Sequence, residues 1–538
     1  MMRRHARVAS VLLWLVACDQ AAELDDDSSS AGVDAAPASL DALPALPDPA
    51  DAGVDAEAAS ACLRTVPVAT RATLATALGA AQAGDCIVLA DGDYTGFAIA
   101  RSGTAQNPIV ISAAHLGRAV VRTGFVHFNH VDHVTLSGLT ITGPGGRLSI
   151  DGTQRPVGVV LVSSNHCRVT RTTFRLVGAP VGAKWLMIAD ASDSNRVDHC
   201  EFGPLSAAGN NVFVWPAGKQ QIDGVTNPTD RTPWAEGHGP FNPNIARHTR
   251  IDHNWFHDKA ASTSEVMVLG GAGMAGDYQD TFSVVEYNLF ESCDGDPEII
   301  SVKASSTTIR YNTIKTSSGL VSLRAGNSSA IHGNFFLQGG KAGAGGIKIY
   351  ERDHRIFNNY IDNASEYPIL VGGGDAYDGG GFAHAQVLRA TIVHNTIVKA
   401  DRRPVRISHG GTLAPRDCEF ANNLLLGSGD KLIVESATPT HMTYKGNVVW
   451  PSGGGSVGLD RPADQFRVLD PGLARSGGIA RLTASLPATG GSFSFVTVDA
   501  DGQPRGASAD VGADQFAPAS TALPRRPLLP ADVGPNAP

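Results

Sequence analysis

The sequence predicts an all-β chain wound into a parallel β-helix, with a helix capping its N-terminal end. Three observations lead there. Glycine makes up 60 of the 538 residues, and Val, Ile, Thr and Asn crowd the middle of the chain, which favours strands and turns. One pattern, apolar–x–x–Asn–x–apolar, recurs as IDHNWF (251–256), VEYNLF (285–290), IRYNTI (309–314), IHGNFF (331–336), IFNNYI (356–361), IVHNTI (392–397) and FANNLL (420–425). From Asn288 through Asn312 and Asn334 to Asn359 the steps are 24, 22 and 25 residues. That period with strand-like composition marks a solenoid of about three short strands per coil. Helical repeats are longer, and the signature of leucine-rich repeats is missing. The recurrent Asn is expected to form an inward ladder at one turn, where its amide bonds backbone groups and tolerates a left-handed conformation. VTRTTF and VDHCEF are earlier, weaker relatives that lack the Asn.

The elements follow in chain order. Residues 1–18 join a basic start, MMRRHAR, to a ten-residue apolar run, too short for a membrane-spanning helix. They end at LVAC, where Leu15, Ala17 and Cys18 have lipobox spacing. This resembles the precursor of an exported bacterial lipoprotein acylated on Cys18 and held at a membrane, periplasmic or at the cell surface. Residues 19–60 hold eleven acids and no Lys or Arg among Ala, Ser and Pro, and read as a disordered tether. The net charge of −9 resides there: without the leader's three arginines and the tether's acids, the rest is close to neutral. The charge total therefore excludes no anionic ligand.

Residues 61–517 form the expected β-helix domain. Thr70 to Asp85 has an amphipathic helical pattern with Thr70 as N-cap, suited to covering the first coil. Cys62 and Cys86 bracket it, and a bridge between them would close a loop worth roughly 3 kcal/mol. Cys167, Cys200, Cys293 and Cys418 are scattered and read as buried small hydrophobes. No Cys/His metal spacing appears. Residues 205–248 break the period and read as a long loop on the binding face. The pattern fades after Gly453, DVGADQF (510–516) is expected to close the last coil, and 518–538 reads as a Pro-rich tail.

Charged residues break this bland background at a regular interval. Lys303 lies nine residues before Asn312, Arg324 ten before Asn334, and Lys348 eleven before Asn359. Stacked coils would place the three cations nearly one above another, roughly 4.8 Å apart. Like charges so close need anions. Asp296 and Glu298 share one strand face, yet strict alternation from Glu298 would turn Lys303 inward, so a bulge must intervene. A cation row suits an anionic sugar polymer. In a uronate, β-elimination needs a base for the C5 proton and a cation on the C6 carboxylate, and a lysine among cations is lowered towards neutrality. Paired acids could hold Ca²⁺ for the same purpose. The competing reading is a surface salt-bridge cluster.

GDPEIISVK, GLVSLRAGN, GGIKIY, RIFNNYI, LATALGAAQAGDCIVLADGDYTG with GTAQNPIVISA, and DGQPRGASADVGADQF resemble polysaccharide lyase family six, in order over about 63–515. That family contains alginate lyases and the dermatan-cleaving chondroitinase B. The resemblance implies a right-handed, pectin-lyase-like β-helix. It also implies Lys303 as the catalytic base and Arg324 as its arginine, a proton donor or electrostatic partner. Lys348, with Arg352 and His354 just after it, is a candidate for substrate binding. Asp296, Glu298, Glu265 and Ser262 match the family's calcium ligands, with departures. Asp296 stands for a Glu, Ser262 stands for an Asn, and Ala325 in RAG stands for a His. Calcium is bound only if water makes up for Ser262. The expected activity is cleavage of alginate, chiefly poly-mannuronate. The alternatives are a dermatan- or chondroitin-type lyase and a β-helix that binds polysaccharide without cutting it. A monomer with no nucleic-acid partner is expected.

Overall fold

The computed structural model describes residues 62–150, 153–215, 245–271, 279–375, 384–506, 508–518 and 523–538. Cys18, the leader and the tether lie outside the described residues. Within them, strands stack into three sheets of 14, 13 and 14 strands, parallel along the stack, forming a right-handed parallel β-helix. Each coil gives one strand to each sheet. One coil runs through Thr308–Arg310, Thr313–Lys315 and Gly319–Ala325. Its Ile309, Ile314, Val321 and Leu323 are fully buried in the bore. Like residues stack on like: the rings of Phe174, Phe202, Phe256 and Phe290 follow one another at 4.5, 4.9 and 4.7 Å.

The asparagines form the predicted ladder at the bend between the two 14-stranded sheets. Asn312 is typical. Its Oδ1 accepts from the backbone N–H and the amide of Asn288 at 3.0 Å each, and its Nδ2 donates to Val285 O, Arg310 O and Asn334 Oδ1. The ladder continues to Asn447 of YKGNVV, which fits the same pattern. Upstream, Cys200 takes the ladder position, its backbone N–H donating to Asn254 Oδ1 at 2.9 Å and its thiol to Val169 O and Asp198 O. The left-handed residue is not the Asn, as expected, but the one before it: His253, Tyr287, Tyr311, Asn358, His394 and Asn422 have φ of 52–58°. Such a conformation costs a non-glycine residue about 1–2 kcal/mol. The bonds of the following Asn, each net about 1 kcal/mol, offset it.

The cap is a helix over Arg71–Gly79, shorter than the predicted pattern. Thr70 Oγ1 accepts from Thr73 N at 3.2 Å, and Leu74 and Leu78 face the bore. The Cys62–Cys86 disulfide is present, and the other four described cysteines are buried and free. Of the predicted loop 205–248, Gly209–Trp215 is instead a strand of the 13-stranded sheet, held by pairing with Ala183–Ala189 and Met267–Gly270. Residues 216–244 lie outside the described residues.

The C-terminal end differs from expectation. DVGADQF does not close the last coil. It lies along the flank, with Gly512 N donating to Asn422 O and Ala513 N to Thr396 Oγ1. It does so because Phe335, Tyr360 and Val398 turn outward there and are covered by Ile479, Ala500 and Ala513. The predicted tail is docked as well. Leu528 N donates to Thr313 Oγ1, Gly534 N to His253 O, and Arg171 to the carbonyls of Pro535 and Ala537.

One corner carries a buried histidine, His354. Its Nδ1 accepts from Ser329 N at 3.1 Å and its Nε2 donates to Tyr350 O at 2.8 Å, which fixes the neutral tautomer. Burial holds its pKa at about 4 against an ordinary 6.5. The unfolded chain therefore takes up a proton that the fold refuses. This contribution to stability is complete above pH 6.5 and is lost as pH falls towards 4, at up to about 1.4 kcal/mol per unit. Urea unfolding across that range should show the loss. His354→Asn should be less stable at pH 8 yet flatter between pH 6.5 and 4, and an unchanged slope would refute the assignment.

Candidate active site

The outward face of the 13-stranded sheet gathers the charges. In the strand Glu298–Lys303, Glu298, Ser301 and Lys303 point outward while Ile299, Ile300 and Val302 enter the core. Two inward residues in succession require a bulge, and the register shifts between Glu298 and Ile300 and again between Val302 and Lys303. The irregularity predicted from the sequence is what presents Lys303 to the surface.

The cations do not form the expected column. Lys348 is in register with Ser322 and Ser301, whereas Lys303 faces Ala325. Turn lengths and bulges differ from coil to coil, so equal intervals from the ladder do not give equal positions. Carboxylates separate the cations. Lys303 Nζ donates to Glu265 Oε1 at 3.0 Å, and Lys348 Nζ pairs with Glu298 Oε1 at 2.9 Å. The close charge on Lys303 is thus an anion rather than another cation. Burial raises the Glu298 pKa, but Lys348, Arg324 and the Ser301 hydroxyl outweigh it and hold the carboxyl at about 2. The Asp296 carboxyl is pushed upward, by burial first and then by Glu265 and Glu298, and among the described residues it accepts no hydrogen bond. Arg324, partly exposed on the next strand, has no side-chain hydrogen bond and no ion pair among the described residues. A guanidinium without a side-chain partner therefore lies on the strand between those of Lys303 and Lys348.

Two predicted substrate contacts are not on this face. His354 is the corner histidine whose ring nitrogens are both bonded to backbone. Arg352 is 6% exposed in the same turn. Sequence reasoning also missed residues that the fold brings in. Lys184 donates to Asn210 Oδ1, and Asn210 donates to Glu265 O at 2.7 Å, linking Lys184 to the partner of Lys303. Burial lowers the Lys184 pKa to about 8, with Arg155 and Lys303 adding to it against Glu265. Its signal was a lysine at the head of the apolar run Trp185–Ile188. Beyond Lys348, the rings of Tyr350 and His384 stack at 3.9 Å.

Residues 68–459 match the family model described as Chondroitinase B. No curated protein matches the chain. Among solved structures, it is similar to a family six alginate lyase, with TM-score 0.65 and 23% identity over 78% of this chain and 55% of that one, so it spans about half of that protein's length. It is similar to a mannuronic-acid-specific family six lyase from human gut microbiota, with TM-score 0.59 and 21% identity over 76% and 91% of the two chains. A family six alginate lyase in complex with a trisaccharide gives TM-score 0.57 and 19% identity over 78% and 91%. At these identities the likeness is one of fold.

The calcium implied by the sequence resemblance finds a poor donor set. Glu265 and Glu298 are committed to Lys303 and Lys348. Ser262 Oγ accepts at 2.8 Å from Lys259, a buried lysine that also donates to Ser264 O at 2.8 Å and Asp294 O at 3.2 Å. An ammonium thus already occupies the oxygens around Ser262. Among the described residues, Asp296, Glu298 and Glu265 do not converge into a metal-sized group. Calcium needs six to eight oxygens, and these residues do not supply them. Calorimetric titration should give no saturable binding below about millimolar calcium. Micromolar binding that Glu298→Gln abolishes would show that the pairs rearrange to admit the ion.

Proposed function

We propose, from the premise that this chain belongs to the chondroitinase B family of polysaccharide lyases, that it cleaves alginate, chiefly poly-mannuronate, by β-elimination. The observation that carries the reading is the unpaired Arg324 guanidinium beside the Lys303–Glu265 pair on an open sheet face. The substrate class follows the alginate and mannuronic-acid lyases that share the fold. The family model's own description favours a second reading, a dermatan- or chondroitin-type chain. A β-helix that only binds would need the cations but not a base held by a carboxylate.

In this mechanism Lys303 gives one proton to Glu265, its partner at 3.0 Å, and as the neutral amine removes the proton at C5 of a uronate. The electrons of that C–H bond form the C4=C5 double bond. The C4–O bond to the neighbouring sugar breaks, and the departing oxygen takes a proton from solvent. Arg324 holds the C6 carboxylate and stabilises the charge that develops there, acting as the electrostatic partner rather than the proton donor, since a guanidinium does not release its proton. Lys348 binds a neighbouring part of the polymer. The proposal includes export, which permits the Cys62–Cys86 bridge, lipid anchoring through Cys18, and a monomeric enzyme.

Ultraviolet absorbance of the conjugated product tests it on a panel of uronate polymers. Lys303→Ala and Arg324→Ala should each lower turnover at least roughly a hundredfold. Arg324→Ala should keep the wild-type melting temperature. Lys303→Ala should lower it, because Glu265 is left half-buried without its cation. Near-normal turnover in either variant would end the mechanism, and product from sulfated galactosaminoglycans alone would select the second reading.

A further inference from the structure

The row of outward residues that contains Lys348 continues past the proposed reaction centre. Lys348 is in register with Leu370, and Leu370 with Arg406. Arg406 therefore lies two coils beyond Lys348, roughly 10 Å along the stack. Among the described residues its side chain makes no hydrogen bond and no ion pair, and its Nε is buried without a partner. A half-buried guanidinium so left is poorly satisfied in the free protein. Its surroundings are cationic and aromatic. Arg403 lies over the Tyr367 ring at 5.3 Å, and that ring is 5.1 Å from His409. Burial, then Arg406, Arg403 and Lys348, keep His409 below its ordinary pKa, so three cations converge on one ring. Among the described residues, the carboxylate that pairs with this group is Glu366, 3.7 Å from Arg403.

We infer that Arg406, flanked by Arg403 and His409, is a subsite for a second uronate carboxylate of the same polymer, on the side of Lys348 away from Lys303. The inference rests on reading this face as a polyuronate cleft. An extended 1,4-linked uronate chain advances by about one coil spacing per sugar, and alternate carboxylates face the same side. A chain along the sheet that presents a carboxylate to Lys348 therefore presents another two sugars on, at Arg406. The guanidinium gains the bidentate partner it lacks. Short oligosaccharides that end before this point gain nothing from it.

Affinity electrophoresis through gels containing polymannuronate or dermatan sulfate tests this without turnover, with every variant in a Lys303→Ala background. Arg406→Ala should weaken the apparent affinity for the retarding polymer about tenfold, the loss of one charge-assisted contact. Arg122→Ala, a control for net charge at an exposed arginine paired to Asp93 on another sheet, should not. With Lys303 intact, Arg406→Ala should raise KM for long oligomers and leave the trisaccharide unchanged. Equal retardation of Arg406→Ala and its parent, an equal loss in Arg122→Ala, or no retardation of the parent in either gel would overturn the subsite. The lyase reading stands or falls separately, on ultraviolet-absorbing product from the wild type. An Arg406-dependent retardation without such product would leave the subsite and remove the lyase.

Discussion

The asparagine ladder is the constraint on which the rest of the molecule depends. A bend between two parallel sheets strands backbone donors and acceptors inside the bore, where no water reaches them. Each Asn meets several at once, including the N–H of the Asn before it and carbonyls of two adjacent coils on the strands that enter the bend. The same bonds let Tyr287, Tyr311 and other bulky residues sit left-handed just before the Asn, which turns the chain sharply enough to begin the next strand. Once the bend repeats at a fixed place, the coils above and below must follow. The spacing of everything outside the bore is then inherited from it.

On the outer face, that inheritance is modified by bulges. Within the strand Glu298–Lys303, two register shifts turn three polar residues outward from a stretch that would otherwise alternate into the core. Neutralisation follows from proximity: coils stacked about 5 Å apart cannot hold bare like charges, and Glu265 and Glu298 answer Lys303 and Lys348. Arg324 escapes this pairing. An arginine left charged and unbonded beside fixed anions is held ready for a ligand carboxylate, with little reorganisation needed when one arrives.

Much of this was legible in the sequence. The Asn pattern gave away the solenoid because an amide bonds backbone groups of two coils at once and so recurs at every bend from Asn254 onward, and Thr70, Cys62 and Cys86 announced the cap. The bulge before Lys303 could be deduced because alternation is a strict rule that Lys303 visibly broke. The placement of Lys348 could not. Counting back from a ladder residue passes through a turn and a bulge, and each adds or removes a residue without a signature. His354 looked like a surface group because its partners, Ser329 N and Tyr350 O, are backbone atoms with no trace in the side-chain pattern. The docked C-terminal end was hidden for a related reason. Its Pro-rich composition resembles that of a free tail, and its contacts are scattered hydrogen bonds and apolar cover on coils far away in sequence.

That C-terminal stretch changes how the whole stack should come apart. A solenoid without it is a one-dimensional array in which each repeat answers only to its neighbours, so the ends can fray independently. Here the final residues run back along the flank, bonded at Asn422, Thr396, Thr313, His253 and Arg171, five places spread over more than half the coils. Loss of a single coil in that span pulls on contacts made by a segment shared with all the others. The array becomes cooperative over a long range, and because the fastening segment follows in sequence all the coils it holds, they are joined only after every one of them has been made.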